Sequence, residues 1–161
     1  VKKLSKARFI AHCAIIAAVY AVLTVALAPV SYGLIQVRVS EALTLLAGFT
    51  PAAIYGLFAG CLIANIFTGN IIDIVFGSLT TLAAAIMSYK LRRRPWLVPL
   101  PPVLANALVV GCYLTLQHGG LMWLNMLTVG LGQVVSCYII PFYAIVRFRD
   151  ILKKITPYVQ Y

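Results

Sequence analysis

Long uncharged apolar stretches alternate with short basic runs along this chain. No formal charge falls between Phe9 and Val37, between Ala42 and Ile72, between Ile74 and Tyr89, or between Pro95 and Val146. A helix needs about 20 apolar residues to cross the hydrocarbon of a bilayer. The first stretch holds one crossing and an outer loop, and the last holds two, broken around Gln117-His118-Gly119-Gly120. Ala42–Ile72 is long for one helix and short for two. The basic residues settle that case. They fall in three clusters, Lys2/Lys3/Lys6/Arg8, Lys90/Arg92/Arg93/Arg94 and Arg147/Arg149/Lys153/Lys154, each flanking an apolar stretch as cytoplasmic loops do. Clusters on the same side require an even number of crossings between them, so Ala42–Ile72 divides in two near Thr50-Pro51. The pattern predicts helices at about 9–29, 37–50, 51–67, 71–89, 100–117 and 121–146. Pro51 suits a first helical turn, and Pro99, Pro101 and Pro102 suit the start of the fifth helix.

The expected fold is therefore an all-α membrane protein. It is a single compact six-transmembrane-helix bundle spanning residues 1–161, with both termini cytoplasmic and no soluble domain. Composition agrees: of 161 residues 63% are hydrophobic and 10% charged, against about half and about a quarter in an ordinary soluble domain. A cleaved signal peptide is not expected, because apolar segments continue to the far end. The net charge of +10 could suggest nucleic acid, but its confinement to the helix flanks points to membrane topology and anionic lipid headgroups instead. Cys13, Cys61, Cys112 and Cys137 lie scattered in apolar segments without a CxxC pair, and read as small buried residues. Internal repeats are not evident, which counts against inverted-repeat transporter folds.

Away from the basic clusters and Asp150, only Arg38, Glu41 and Asp73 are charged. The topology places them near the outer ends of helices two and four, where ionisable groups usually face a bundle interior or aqueous cavity. Arg38 and Glu41, three apart, share a helix face, which also suits a structural ion pair; Asp73 also suits an outer loop or a helix cap. Asn65, Thr68 and Asn70 make the neighbouring mouth polar. Further candidates are Asn106, Gln117, His118, Asn125 and Gln133, although amides in membrane bundles often just bond between helices. Together these residues favour an outward-facing polar pocket. Tyr32, Tyr113 and Trp123 supply either its walls or an interfacial aromatic belt. On the first helix, Ala11, Ala14, Ala18 and Ala21 form a small-residue stripe that fits either packing inside the bundle or a partner helix. A phosphate-binding GxxxxGK[ST] loop, HExxH, GxSxG and clustered metal ligands are all missing. No cofactor or metal is expected in the chain, and solute binding fits better than enzyme chemistry.

Four segments carry a resemblance: Gln36-Val37-Arg38-Val39-Ser40-Glu41-Ala42-Leu43, Gly56 to Asn65, Asp73 to Leu79, and Pro101-Pro102-Val103-Leu104-Ala105-Asn106-Ala107. Through nearly its whole length the chain resembles the QueT family. The resemblance implies the substrate-binding subunit (S component) of an energy-coupling factor importer for a queuosine precursor. Its partners would be a transmembrane scaffold subunit and two ATPases, which use the ATP. In such subunits an alanine stripe on the first helix meets the scaffold, matching Ala14 and Ala18 here, with Ala11 and Ala21 extending it. A deazaguanine presents adjacent N–H donors that one carboxylate accepts together. Glu41 or Asp73 is then expected to hold that edge while the other assists, with Arg38, Asn65, Asn106 and Asn125 completing the site. The competing readings are an S component for another vitamin, or a small membrane enzyme or assembly factor without a solute.

Overall fold

The computed structural model describes residues 5–31 and 37–143. Tyr32, Lys2, Lys3, the C-terminal basic cluster, the side chain of His118 and the last residues of the expected sixth helix lie outside them.

The described residues are helical. Helix α1 spans Lys6–Ala26, opened by Ser5, whose side chain accepts from the Arg8 N–H. Pro29 cannot donate to a carbonyl four residues back, and the chain turns at Leu27 into the short α2, Ala28–Ser31. A 3₁₀ helix follows over Val39–Gly48. Helix α3 covers Ala52–Thr68 and ends on Gly69 at φ 73°, a left-handed position that suits glycine. After a π turn at Asp73–Gly77 comes α4, Ser78–Lys90. A 3₁₀ turn at Pro95–Leu97 leads into α5, Leu100–His118. Helix α6, Met122–Val134, widens into a π segment at Val135–Ile139 just ahead of Pro141, which lacks the N–H for the Cys137 carbonyl.

Among the described residues three helices are long and apolar enough to cross a membrane: Lys6–Ala26, Pro95–Gln117 and Met122–Tyr143. Val39–Gly48 and Ala52–Thr68 are apolar but shorter. The second expected helix departs most from the α-helix assumed for it. Arg38, Glu41, Thr44 and Ala47 are spaced strictly by three, and all are buried. A helix with three residues per turn stacks such positions in one row, whereas an α-helix would fan them out. At about 2.0 Å per residue, its ten residues also reach further than one α-helical turn set of that length would.

Glycines set the helix spacing. A Cβ on Gly56 would stand 2.8 Å from Ile16 Cβ and 2.9 Å from the Cys13 carbonyl oxygen. One on Gly60 would stand 2.7 Å from the Ala17 carbonyl oxygen and 2.8 Å from Tyr20 Cβ. Bare glycines four apart thus let α1 and α3 run parallel with backbones nearly touching. Gly111 does the same against Met126, where α5 and α6 meet antiparallel. The core between α1, the 3₁₀ helix, α3 and α4 contains Tyr20, Ala47, Ala53, Leu57, Cys61 and Ala85.

Because α1 gives α3 the face carrying Ala17, Tyr20 and Thr24, its other side stays open: Ala11, Ala14 and Ala18 are exposed. Ala21, expected to extend that stripe, is instead buried, 9% exposed. Seven residues fall about 20° short of two α-helical turns, and this drift carries Ala21 from the line of Ala14 toward Tyr20 and Thr24.

Candidate functional site

The row along the 3₁₀ helix carries the first half of the site. Glu41 is 0% exposed and one 3₁₀ turn beyond Arg38, its N–H donating to the Arg38 carbonyl at 2.9 Å. From α1, the Tyr20 hydroxyl donates to Glu41 Oε1 at 2.5 Å. Below it, Thr24 Oγ1 lies 2.6 Å from Ser40 Oγ and 2.8 Å from the Tyr20 carbonyl oxygen. Arg38 Nε donates to the Ser31 carbonyl at 3.4 Å. The remaining Glu41 oxygen, Oε2, is sealed from solvent and has no hydrogen-bond partner among the described residues. A buried carboxylate oxygen left bare is costly and uncommon, so it marks the place where a donor is wanted.

The second half is built on the π turn. Such widened turns recur at functional sites because they re-aim side chains that an α-helix would stack. The Tyr113 hydroxyl of α5 donates to Asp73 Oδ1. Asn65, at the end of α3, donates through Nδ2 to the Asp73 backbone carbonyl at 2.8 Å and lies 3.3 Å from Ser78 Oγ. Gly77 makes room for this amide: a Cβ there would stand 3.2 Å from Asn65 Nδ2. Asn106 shares the inner face of α5 with Val110 and Tyr113, four and seven residues on. It is 1% exposed, and neither Nδ2 nor Oδ1 has a partner among the described residues.

Of the residues singled out in the sequence, Arg38, Glu41, Asn65, Asp73 and Asn106 are all buried. Glu41 sits on the 3₁₀ helix against Tyr20, and Asp73 at the π turn against Asn65 and Tyr113. Asn125 joins neither group. Its Nδ2 donates to Thr115 Oγ1 at 3.0 Å and to the Gly119 carbonyl at 3.2 Å, clipping the α5–α6 turn. Gln117 and Asn70 pair across the same end of the bundle at 3.1 Å. Trp123 is 63% exposed, so it walls no buried pocket among the described residues. Gln133 is buried and accepts from the Cys137 thiol at 3.5 Å. Tyr113, read as either a wall or a belt residue, donates to Asp73. Tyr20 was not anticipated, although a hydroxyl deep in an otherwise apolar helix signals a buried partner. Among the described residues no His, Cys, Asp and Glu side chains gather as a metal site.

Two buried acids thus each accept from a tyrosine, and a buried amide on α5 stands without a partner among the described residues. The QueT transporter family matches residues 10–148. This chain belongs to the QueT transporter family. Over 82 residues it is 42% identical to the "Queuosine precursor transporter QueT" of Lactococcus lactis subsp. cremoris (strain MG1363). That match takes in 50% of this chain and 48% of the relative, so the chain spans about half the length of the curated relative it matches. No solved structure matches. The QueT match runs from α1 through α6 and takes in both tyrosine–carboxylate pairs. As a transporter family member with several apolar helices, the chain is a membrane protein.

Proposed function

We propose that this chain is the substrate-binding S component of an energy-coupling factor importer in the cell membrane. It captures a queuosine precursor with a deazaguanine base from outside and passes it inward with a transmembrane scaffold and two ATPases. The observation that carries the ligand assignment is the bare, buried Glu41 Oε2 beside a tyrosine-held Oε1. A carboxylate fixed in this way takes N–H donors, and the guanine-like edge offers two side by side. The Lactococcus relative's name, which specifies a queuosine precursor, supports the same solute.

Six crossings with cytoplasmic termini follow from the three basic clusters. The parallel run of α1 with α3 and the antiparallel run of α5 with α6 are in keeping with that alternation. Solute extracted from the purified protein and identified by mass spectrometry tests the proposal. A deazaguanine is the expected result. Another vitamin-like solute would replace the substrate assignment, and a protein that neither carries nor binds any solute would contradict it.

The exposed Ala11, Ala14 and Ala18 give the scaffold a surface with little side-chain bulk, which lets helices approach closely. Replacing Ala14 and Ala18 together with leucine is expected to abolish uptake in cells while ligand affinity of the purified protein stays within about 2-fold of wild type, as for surface changes remote from a site. Uptake and affinity assays on the same variant check this. Lost affinity would mean that the stripe packs inside the bundle.

A further inference from the structure

We infer that Asn106 is the specificity-determining amide of the binding site, reading a ligand edge on which a hydrogen-bond acceptor sits beside an N–H donor. This rests on the function proposed above and deepens it. The sequence presents Asn65 and Asn106 as equivalent amides, but the structure separates them. Asn65 is engaged with the Asp73 carbonyl and the Ser78 hydroxyl, so it holds the turn that carries Asp73. Asn106 is just as buried, yet among the described residues its donor and its acceptor are both without a partner.

Buried amides are almost always satisfied, because stripping both ends of water without replacement costs free energy. Here the cost falls on the ligand-free protein and is relieved when a ligand supplies both partners. The location agrees: Asn106 lies on the α5 face that presents Tyr113 to Asp73. The two kinds of group also divide the chemistry. The bare oxygen of Glu41 only accepts. An amide donates and accepts at once, so it rejects a ring edge with two donors or two acceptors. The class of solute that satisfies both is a planar heterocycle with a donor–donor edge for the acid and an acceptor–donor pair elsewhere, as a deazaguanine has.

The test uses the full chain in detergent, with 7-deazaguanine and its 7-aminomethyl derivative as probes. Unfolding temperature is followed by tryptophan fluorescence and affinity by titration. Asn106→Leu, close in size to asparagine, is expected to unfold at or above the wild-type temperature without ligand. Its affinity for both probes should fall on the order of 10- to 100-fold, as expected when a buried polar contact is lost. Asn65→Leu should instead unfold at a lower temperature without ligand. If Asn106→Leu keeps wild-type affinity, the amide does not read the ligand. If both Asn106→Leu and the shorter Asn106→Val are less stable than wild type, the amide has a structural partner such as a buried water. Either result overturns the inference. Wild-type protein that binds neither probe would overturn the proposed function, while the ligand-free comparison would still decide whether Asn106 is unsatisfied.

Discussion

Glu41→Gln should lose at least about 100-fold in affinity for a deazaguanine, roughly 3 kcal/mol at the upper end for hydrogen bonds to a charged group. The Tyr20 hydroxyl already donates to Oε1, leaving Oε2 as the open acceptor. Glutamine can keep its carbonyl oxygen against Tyr20 only by turning its NH₂ to the ligand, where donor would meet donor. Flipped the other way, the NH₂ could only donate to the Tyr20 oxygen, reversing that bond and leaving the hydroxyl proton without its acceptor. Either orientation breaks one contact, and the nearby Arg38 loses a compensating charge. Asp73→Asn should be milder. Its backbone carbonyl is held by Asn65 whatever the side chain does, and the asparagine carbonyl oxygen can still accept from Tyr113. Titration of both variants, on protein that elutes as a single folded species, ranks the two acids. Near wild-type affinity in both would remove the carboxylates from the site.

The second large effect is expected at Gly60. Its added Cβ would meet the Ala17 carbonyl oxygen at 2.7 Å and the Ala17 Cα at 3.1 Å, atoms of backbone that cannot rotate aside. Gly60→Ala should therefore force α1 from α3 and cost about 1–3 kcal/mol, the usual scale of overpacking. Gly60→Leu should give no stable monodisperse protein. The damage extends to the site, since Tyr20, which fixes Glu41, sits at the same crossing. Leucine at Ala14, on the exposed side of α1, should leave the unfolding temperature nearly unchanged. Unfolding curves for the three variants read this contrast, and a Gly60→Leu protein as stable as wild type would contradict the close α1–α3 contact.

These two cases show what the amino-acid pattern revealed and what it concealed. Apolar stretches bounded by charge bear on where helices lie: the expected 51–67 and 100–117 overlap Ala52–Thr68 and Leu100–His118. The rarity of charge in apolar surroundings singled out Arg38, Glu41 and Asp73, because a buried ionisable group needs a reason to be there. Helix type was harder to see. Hydrophobicity does not distinguish an α-helix from a 3₁₀ helix, although the three-residue spacing of Arg38, Glu41, Thr44 and Ala47 was present in the sequence as a signal. The π turn at Asp73 leaves no comparable trace.

Side-chain partners were the least legible feature. Asn65, Asn106 and Asn125 look alike as isolated amides in helices. Their surroundings diverge because the fold gives Asn65 a backbone carbonyl, gives Asn125 a turn, and leaves Asn106 without a partner among the described residues. Tyr20 was passed over for a related reason. Its partner lies 21 positions away, and only the glycine-mediated approach of α1 brings it into the core. The alanine stripe was visible as spacing, but the side of it that closes, at Ala21, depended on which face α3 took.

The most direct measurement is equilibrium binding of the purified, detergent-solubilised chain to a panel of 7-deazaguanine bases, purines and vitamins. Saturable binding of the deazaguanines is expected, lost in Glu41→Gln and retained in the Ala14/Ala18 double-leucine variant. Binding of a solute without adjacent N–H donors, with Glu41→Gln indistinguishable from wild type, would contradict it.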